Sequence, residues 1–194
     1  AQLLYALGIA SVFFFEYRHS TWRLLVPRHA RSQLFAAKYL TCLVLLALGL
    51  LLAVCGDMLV NLLLLFLKGQ GFAGLVLSGG SFAVLVGAFA IATLQLAVLA
   101  ALVAVLVILS RSLIGAVIPA FLLAIGSTLL QLYMGSDADR LPLPSYAAQS
   151  VRDWLLSGGS SALGMTGLTV LVVWCVGLVT LGLLAFSRQQ LATE

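Results

Sequence analysis

Apolar residues in this chain fall in long unbroken runs, not in the alternation of a strand or the narrow stripe of a soluble amphipathic helix. Such runs occupy 34–67, 82–109, 113–134 and 168–187. A helix needs about 20 apolar residues to cross roughly 30 Å of hydrocarbon, so each predicts a membrane span. A shorter apolar stretch covers 1–15 and would make a helix of only about 22 Å. It lacks the basic start and small-residue cleavage site of a signal peptide. It therefore reads as the remainder of a span that begins upstream.

The run 34–67 reaches about 50 Å if wholly helical, and Gly56, Asp57 and Asn61 interrupt its apolar character. It is expected to cross once and then bend or run on at the outer surface. Gly and Ser dominate 68–81, which reads as loop. Pro119 lies inside the 113–134 run and is expected to kink or loosen that helix, which membrane helices tolerate when neighbours satisfy the freed carbonyl.

Composition agrees with the pattern. Of the 194 residues 63% are hydrophobic and 8% charged, and mean hydropathy is +1.19. A soluble domain carries about 25% charged residues, so a water-facing surface cannot be covered here. Disorder needs low hydrophobicity and high charge. A soluble enzyme and a disordered tail are both excluded. The expected fold is an all-α polytopic membrane helical bundle with five spans.

The net charge of +4 matters less than its distribution. Arg18, Arg23, Arg28, Arg31 and Lys38 cluster between the first two spans, Arg111 sits in the tight 110–112 turn, and Arg188 follows the last span. Alternating crossings put these residues on one side and Lys68, Arg140 and Arg152 on the other. Basic loops stay cytoplasmic, so the carboxyl terminus is expected in the cytoplasm. The longest polar segment, 135–167, is then an outer loop. Within it Tyr146, Ser150, Val151, Trp154 and Leu155 recur at roughly helical spacing, predicting a short helix with Tyr and Trp at the membrane–water interface.

The most informative segment is 16–38, EYRHSTWRLLVPRHARSQLFAAK. Glu16 is the first charge after an apolar run. Tyr17, Thr21, Leu24 and Leu25 fall on one semi-apolar helical face, and Pro27 ends the helix because the residue before a proline avoids the α region. The spacing predicts a short amphipathic helix, a turn, and a basic return to the membrane at 34. Such a helix can lie in lipid headgroups or dock into a partner's groove, and the residues alone leave both open.

This segment resembles the cytoplasmic connector of the type-two ABC exporter permeases, the membrane subunits that pair with ATP-binding-cassette ATPases. That family shows an acidic residue closing its second span, a Gly-Thr pair, a Leu-rich turn, a Pro, a basic residue and a Lys. Here these correspond to Glu16, Ser20-Thr21, Leu24-Leu25, Pro27, Arg31 and Lys38. Ser replaces the usual Gly, and the Pro-to-Lys spacing is one residue longer than in the family. The resemblance implies six spans in the full subunit and a coupling helix over 16–26, with Glu16, Tyr17, Arg18, Thr21, Trp22, Leu24, Leu25, Pro27 and Arg31 contacting the ATPase. It further implies a dimer of permease subunits, homo- or heteromeric, served by two ATPases. The Leu/Ala-rich composition is by association bacterial, so a bacterial inner membrane is expected. The chain has no G-x-x-x-x-G-K-[ST] phosphate loop. ATP and magnesium are thus expected in the partner, and this chain is expected to be no enzyme by itself and to bind no nucleic acid. The alternative is a non-transport membrane scaffold whose basic connector meets anionic lipid or another protein.

Other patterns carry less. The 69–74 segment GQGFAG matches G-x-G-x-x-G, but no strand precedes it and no acidic residue stands between Asp57 and Asp137, as a dinucleotide site requires. Gly158-Gly159-Ser160-Ser161 suggests a serine nucleophile, yet such a nucleophile needs a nearby base, and His19 and His29 fall on the opposite side. The three cysteines, Cys42, Cys55 and Cys175, lie inside apolar runs without metal spacing and read as packing residues. Ionisable and amide groups inside spans are candidates for a substrate path. Asp57, Asn61 and Gln95 are the strongest of these. For Asp57 an interfacial carboxylate, and for Gln95 an interhelical hydrogen bond, are the competing roles.

Overall fold

The computed structural model describes residues 2–18, 31–67, 79–134, 141–158 and 160–188. Six helices account for nearly all of them, α1 (Gln2–Arg18), α2 (Arg31–Leu67), α3 (Gly79–Ser110), α4 (Leu113–Met134), α5 (Pro144–Ser157) and α6 (Ser161–Arg188). The fold is an all-α bundle. In hydrocarbon every backbone N–H and C=O must find a partner within the segment, which selects helices from sequences this apolar. Four of the helices, α2, α3, α4 and α6, are long and apolar enough to cross a membrane, and the apolar stretch Leu3–Phe15 is a shorter one.

α3 is the axis of the bundle and packs against α1, α2, α4, α5 and α6. Its inner positions are small or β-branched. Ala100, Ala101, Val103, Ala104 and Val107 are wholly inaccessible. Without a hydrophobic drive between helices in lipid, close backbone approach across small residues supplies the packing. The peripheral surfaces stay apolar, as on α2, where Leu40, Leu45, Leu52 and Leu59 are exposed. Hydroxyls on these surfaces bond to their own helix, Thr41 to the Ala37 carbonyl at 2.9 Å and Thr128 to that of Ala124 at 3.0 Å. That satisfies them without a neighbour.

Several helix limits differ from those read in the sequence. α6 begins at Ser161, seven residues before position 168, so the end of the expected outer loop 135–167 is helical. The reason is packing. A Cβ on Gly164 would lie 2.6 Å from the Trp154 ring, and one on Gly167 would lie 2.7 Å from the Ala147 carbonyl oxygen as well as meeting Ser150. These glycines bring α6 against α5, and are not loop residues. α2 begins at Arg31, and it runs on through Gly56 and Asp57 as one helix of about 55 Å. α3 extends from 82–109 to Gly79–Ser110, and α1 continues past 15 to Arg18. α4 keeps Pro119 inside it.

α5 is bounded as its sequence dictates. Leu143 is extended, Pro144 opens the first turn, and Gly158 closes the helix at φ 63°, a left-handed conformation that glycine adopts without a Cβ clash. Its buried face, Tyr146, Ala147, Ala148 and Val151, is turned inward. Tyr146 is only 1% exposed, so it is a core residue and not an interfacial edge. Its hydroxyl donates to the Ser127 carbonyl of α4. Tyr146→Phe is expected to cost about 1 kcal/mol, the net worth of one buried hydrogen bond, seen as a fall of roughly 2–4 °C in the melting temperature of the detergent-solubilised protein.

At the opposite end an aromatic junction ties three helices. The Phe35 ring of α2 lies 6.2 Å from that of Phe13 on α1 and 6.3 Å from that of Phe186 on α6. All three are about 1% exposed. The Lys38 Nζ stands 5.6 Å from the centre of the Phe13 ring. Phe35 and Val105 of α3 both abut Gly182. The carboxyl ends of α1, α3 and α6 and the amino end of α2 therefore gather together. Arg18, Arg31, Lys38, Arg111 and Arg188 all belong to these ends or to the adjoining α3–α4 turn.

Candidate functional site

A cavity of about 220 Å³ lies within the bundle. Every helix contributes to its wall, Tyr5 from α1, Leu50 from α2, Gln95 and Leu99 from α3, Ala124 and Ser127 from α4, Ser145 from α5, and Trp174 from α6. The remaining lining is almost wholly aliphatic. α5 bounds one end, because its first turn supplies Pro144 and Ser145.

The polar groups around the cavity are few and specifically placed. Gln95 Oε1 accepts from Arg152 Nη2 at 2.8 Å. A guanidinium only donates, so this bond fixes the amide orientation. The Gln95 Nε2 donors then have no protein partner among the described residues. Ser145 Oγ is buried and likewise has none among them. Ser127 Oγ is occupied by the Ala124 carbonyl at 2.8 Å. Trp174 Nε1 donates to the Pro142 carbonyl at 2.8 Å, pinning the irregular segment before α5 to α6. Gln131 of α4 donates to Gln149 of α5 at 2.9 Å, adding a second polar tie across the same region.

Of the three residues expected on a substrate path, only Gln95 lines the cavity. Asp57 and Asn61 sit on the exposed part of α2 and bond to one another. Asn61 Nδ2 donates to the Asp57 carbonyl at 2.9 Å and to its carboxylate at 3.3 Å. Both are satisfied within one helix turn. Thr21, Trp22, Leu24, Leu25 and Pro27 of the connector lie outside the described residues. Glu16, Tyr17 and Arg18 form the last turn of α1, and Arg31 opens α2.

Ser145, Arg152 and Trp174 belong to the site's surroundings but were not singled out for it in the sequence. One signal existed for Trp174, since an indole N–H deep in an apolar span needs an acceptor. Tyr39 follows the same rule, with its hydroxyl donating to the Ala97 carbonyl at 2.8 Å and lying 3.8 Å from Cys175 Sγ. The cysteines are free thiols. Among the described residues no group of His, Cys, Asp and Glu is arranged to hold a metal ion.

Compared with family models, with curated proteins and with solved structures, the chain gives no match.

Proposed function

We propose that this chain is the permease subunit of an ABC exporter of the type-two class, acting as a dimer in a bacterial cytoplasmic membrane. Two separate ATPase subunits would supply ATP hydrolysis. The observation that carries the reading is the 16–38 connector, with its acidic start, Leu pair, Pro and basic return. It joins two apolar helices whose ends meet at the Phe13–Phe35–Phe186 junction. The gathering of basic residues at that same end supports a cytoplasmic placement for the connector and the carboxyl terminus, because basic segments are retained there.

The mechanism follows from linkage. A helix gripped by an ATPase in one nucleotide state, and gripped differently in another, shifts the bundle between two conformations by the difference in those affinities. In sequence the connector's helix, 16–26, lies between Phe13 and Phe35, which meet each other and Phe186, so displacement of the connector would be carried into α1, α2 and α6.

The test is purification of the full-length protein in mild detergent from its native membrane, identification of any co-purifying ATP-binding-cassette subunit, and co-expression of the two. Expected is a stable complex in detergent whose ATPase activity exceeds that of the soluble subunit alone. If the membrane protein purifies free of any such ATPase and leaves its turnover unchanged, the scaffold reading replaces this one.

A further inference from the structure

We propose that the cavity is a phospholipid site, taking the first part of one acyl chain between the helices, the ester carbonyl at Gln95 and Ser145, and the phosphate at Arg152. The inference does not depend on an ATPase partner. It requires only that the bundle sit in a bilayer.

Three observations carry it. The first is the cavity itself, whose volume of about 220 Å³ exceeds that of the roughly 150 Å³ apolar cavity known to take up benzene. Its aliphatic wall accepts a hydrocarbon chain and offers water little. The second is the pair of donors without protein acceptors, Gln95 Nε2 and Ser145 Oγ, both on residues of the wall. A buried hydroxyl such as Ser145 Oγ is costly when left unpaired, and one carbonyl oxygen at the cavity wall can accept from it and from the Gln95 amide. The third is Arg152, an exposed cation anchored through one N–H to Gln95. Its other donors have no protein partner among the described residues, and guanidinium matches phosphate in both charge and geometry.

The two polar groups meet at one level, since Arg152 Nη2 lies 2.8 Å from Gln95 Oε1, so a single molecule can present a phosphate to the guanidinium and an ester carbonyl to the amide beside it.

The experiment is native mass spectrometry of the full chain released from mild detergent, first as isolated and then after delipidation and addition of phosphatidylglycerol or of oleate. Expected is one retained phospholipid per chain, rebinding of phosphatidylglycerol, and weaker binding of oleate, which lacks the phosphate. Arg152→Ala and Gln95→Leu should each lower occupancy at a fixed lipid concentration by about tenfold in affinity, the effect of losing one charge-assisted or doubly used hydrogen-bonding group. Ala124→Phe, which puts a ring into the cavity where the acyl chain would lie, should abolish retention. Arg152 is exposed, so Arg152→Ala is expected to keep the helix content of the unaltered protein by circular dichroism, and its result stands whatever the core variants do. Absence of bound lipid in the unaltered protein, equal retention by Ala124→Phe, or oleate binding as tightly as phosphatidylglycerol overturns the proposal.

Discussion

Gly167→Leu is expected to destabilise the protein by about 3 kcal/mol or more, at the upper end of the cost of overpacking a well-fitted core. Even a methyl group there would stand 2.7 Å from the Ala147 carbonyl oxygen and press on Val151 at 2.9 Å. A backbone carbonyl in the first turn of α5 cannot yield as a flexible side chain does. α5 and α6 form the most extensive helix pair in the bundle, so prising them apart exposes Ala147 and Val151 together. The melting temperature in detergent should fall by roughly 10 °C. Gly177 supplies the control, since nothing lies within 4 Å of a Cβ placed on it. Gly177→Ala should leave the melting temperature unchanged or raise it slightly, as removing a helical glycine does where space allows. If the two substitutions behave alike, the glycines of α6 do not act through packing on α5.

Leu24→Asp combined with Leu25→Asp is expected to abolish stimulation of the partner ATPase while leaving the isolated membrane protein folded. This follows from the proposed coupling role. Burying a leucine in a protein groove contributes about 1.5–3 kcal/mol, and a carboxylate forced into the same groove adds a desolvation penalty. Together the two changes should weaken association by a hundredfold or more. The effect should appear in pull-down and in ATP turnover, with no change in melting temperature of the free membrane subunit. Unaltered turnover in the double variant would show that this face of the connector does not grip the ATPase.

Helix bodies were legible in the sequence because continuous apolar runs leave few alternatives in hydrocarbon. The limits of α4 at Leu113 and Met134 coincide with the run read from composition. The start of α6 was not legible, since Gly164 and Gly167 are read as loop when nothing shows what they touch. Only the approach of Trp154 and Ala147 turns them into packing positions. Periodicity located α5, yet its edge residue Tyr146 proved buried, because helical spacing defines a face without saying what covers it. Gln95 was found by its polarity within a span. Ser145 and Arg152 were not, because the cavity joins residues from every helix and sequence distance hides such a convergence.

The aromatic junction makes the two ends of the bundle mechanically unequal. α1 and α2 are clamped together where Phe13 meets Phe35 and share little contact elsewhere, in the manner of tongs held at the pivot. Farther from that junction, Tyr5 and Leu50 line the same void. A small rotation about the pivot therefore becomes a larger separation between these two residues, so the width of the cavity is the quantity through which leverage at the basic end would be amplified.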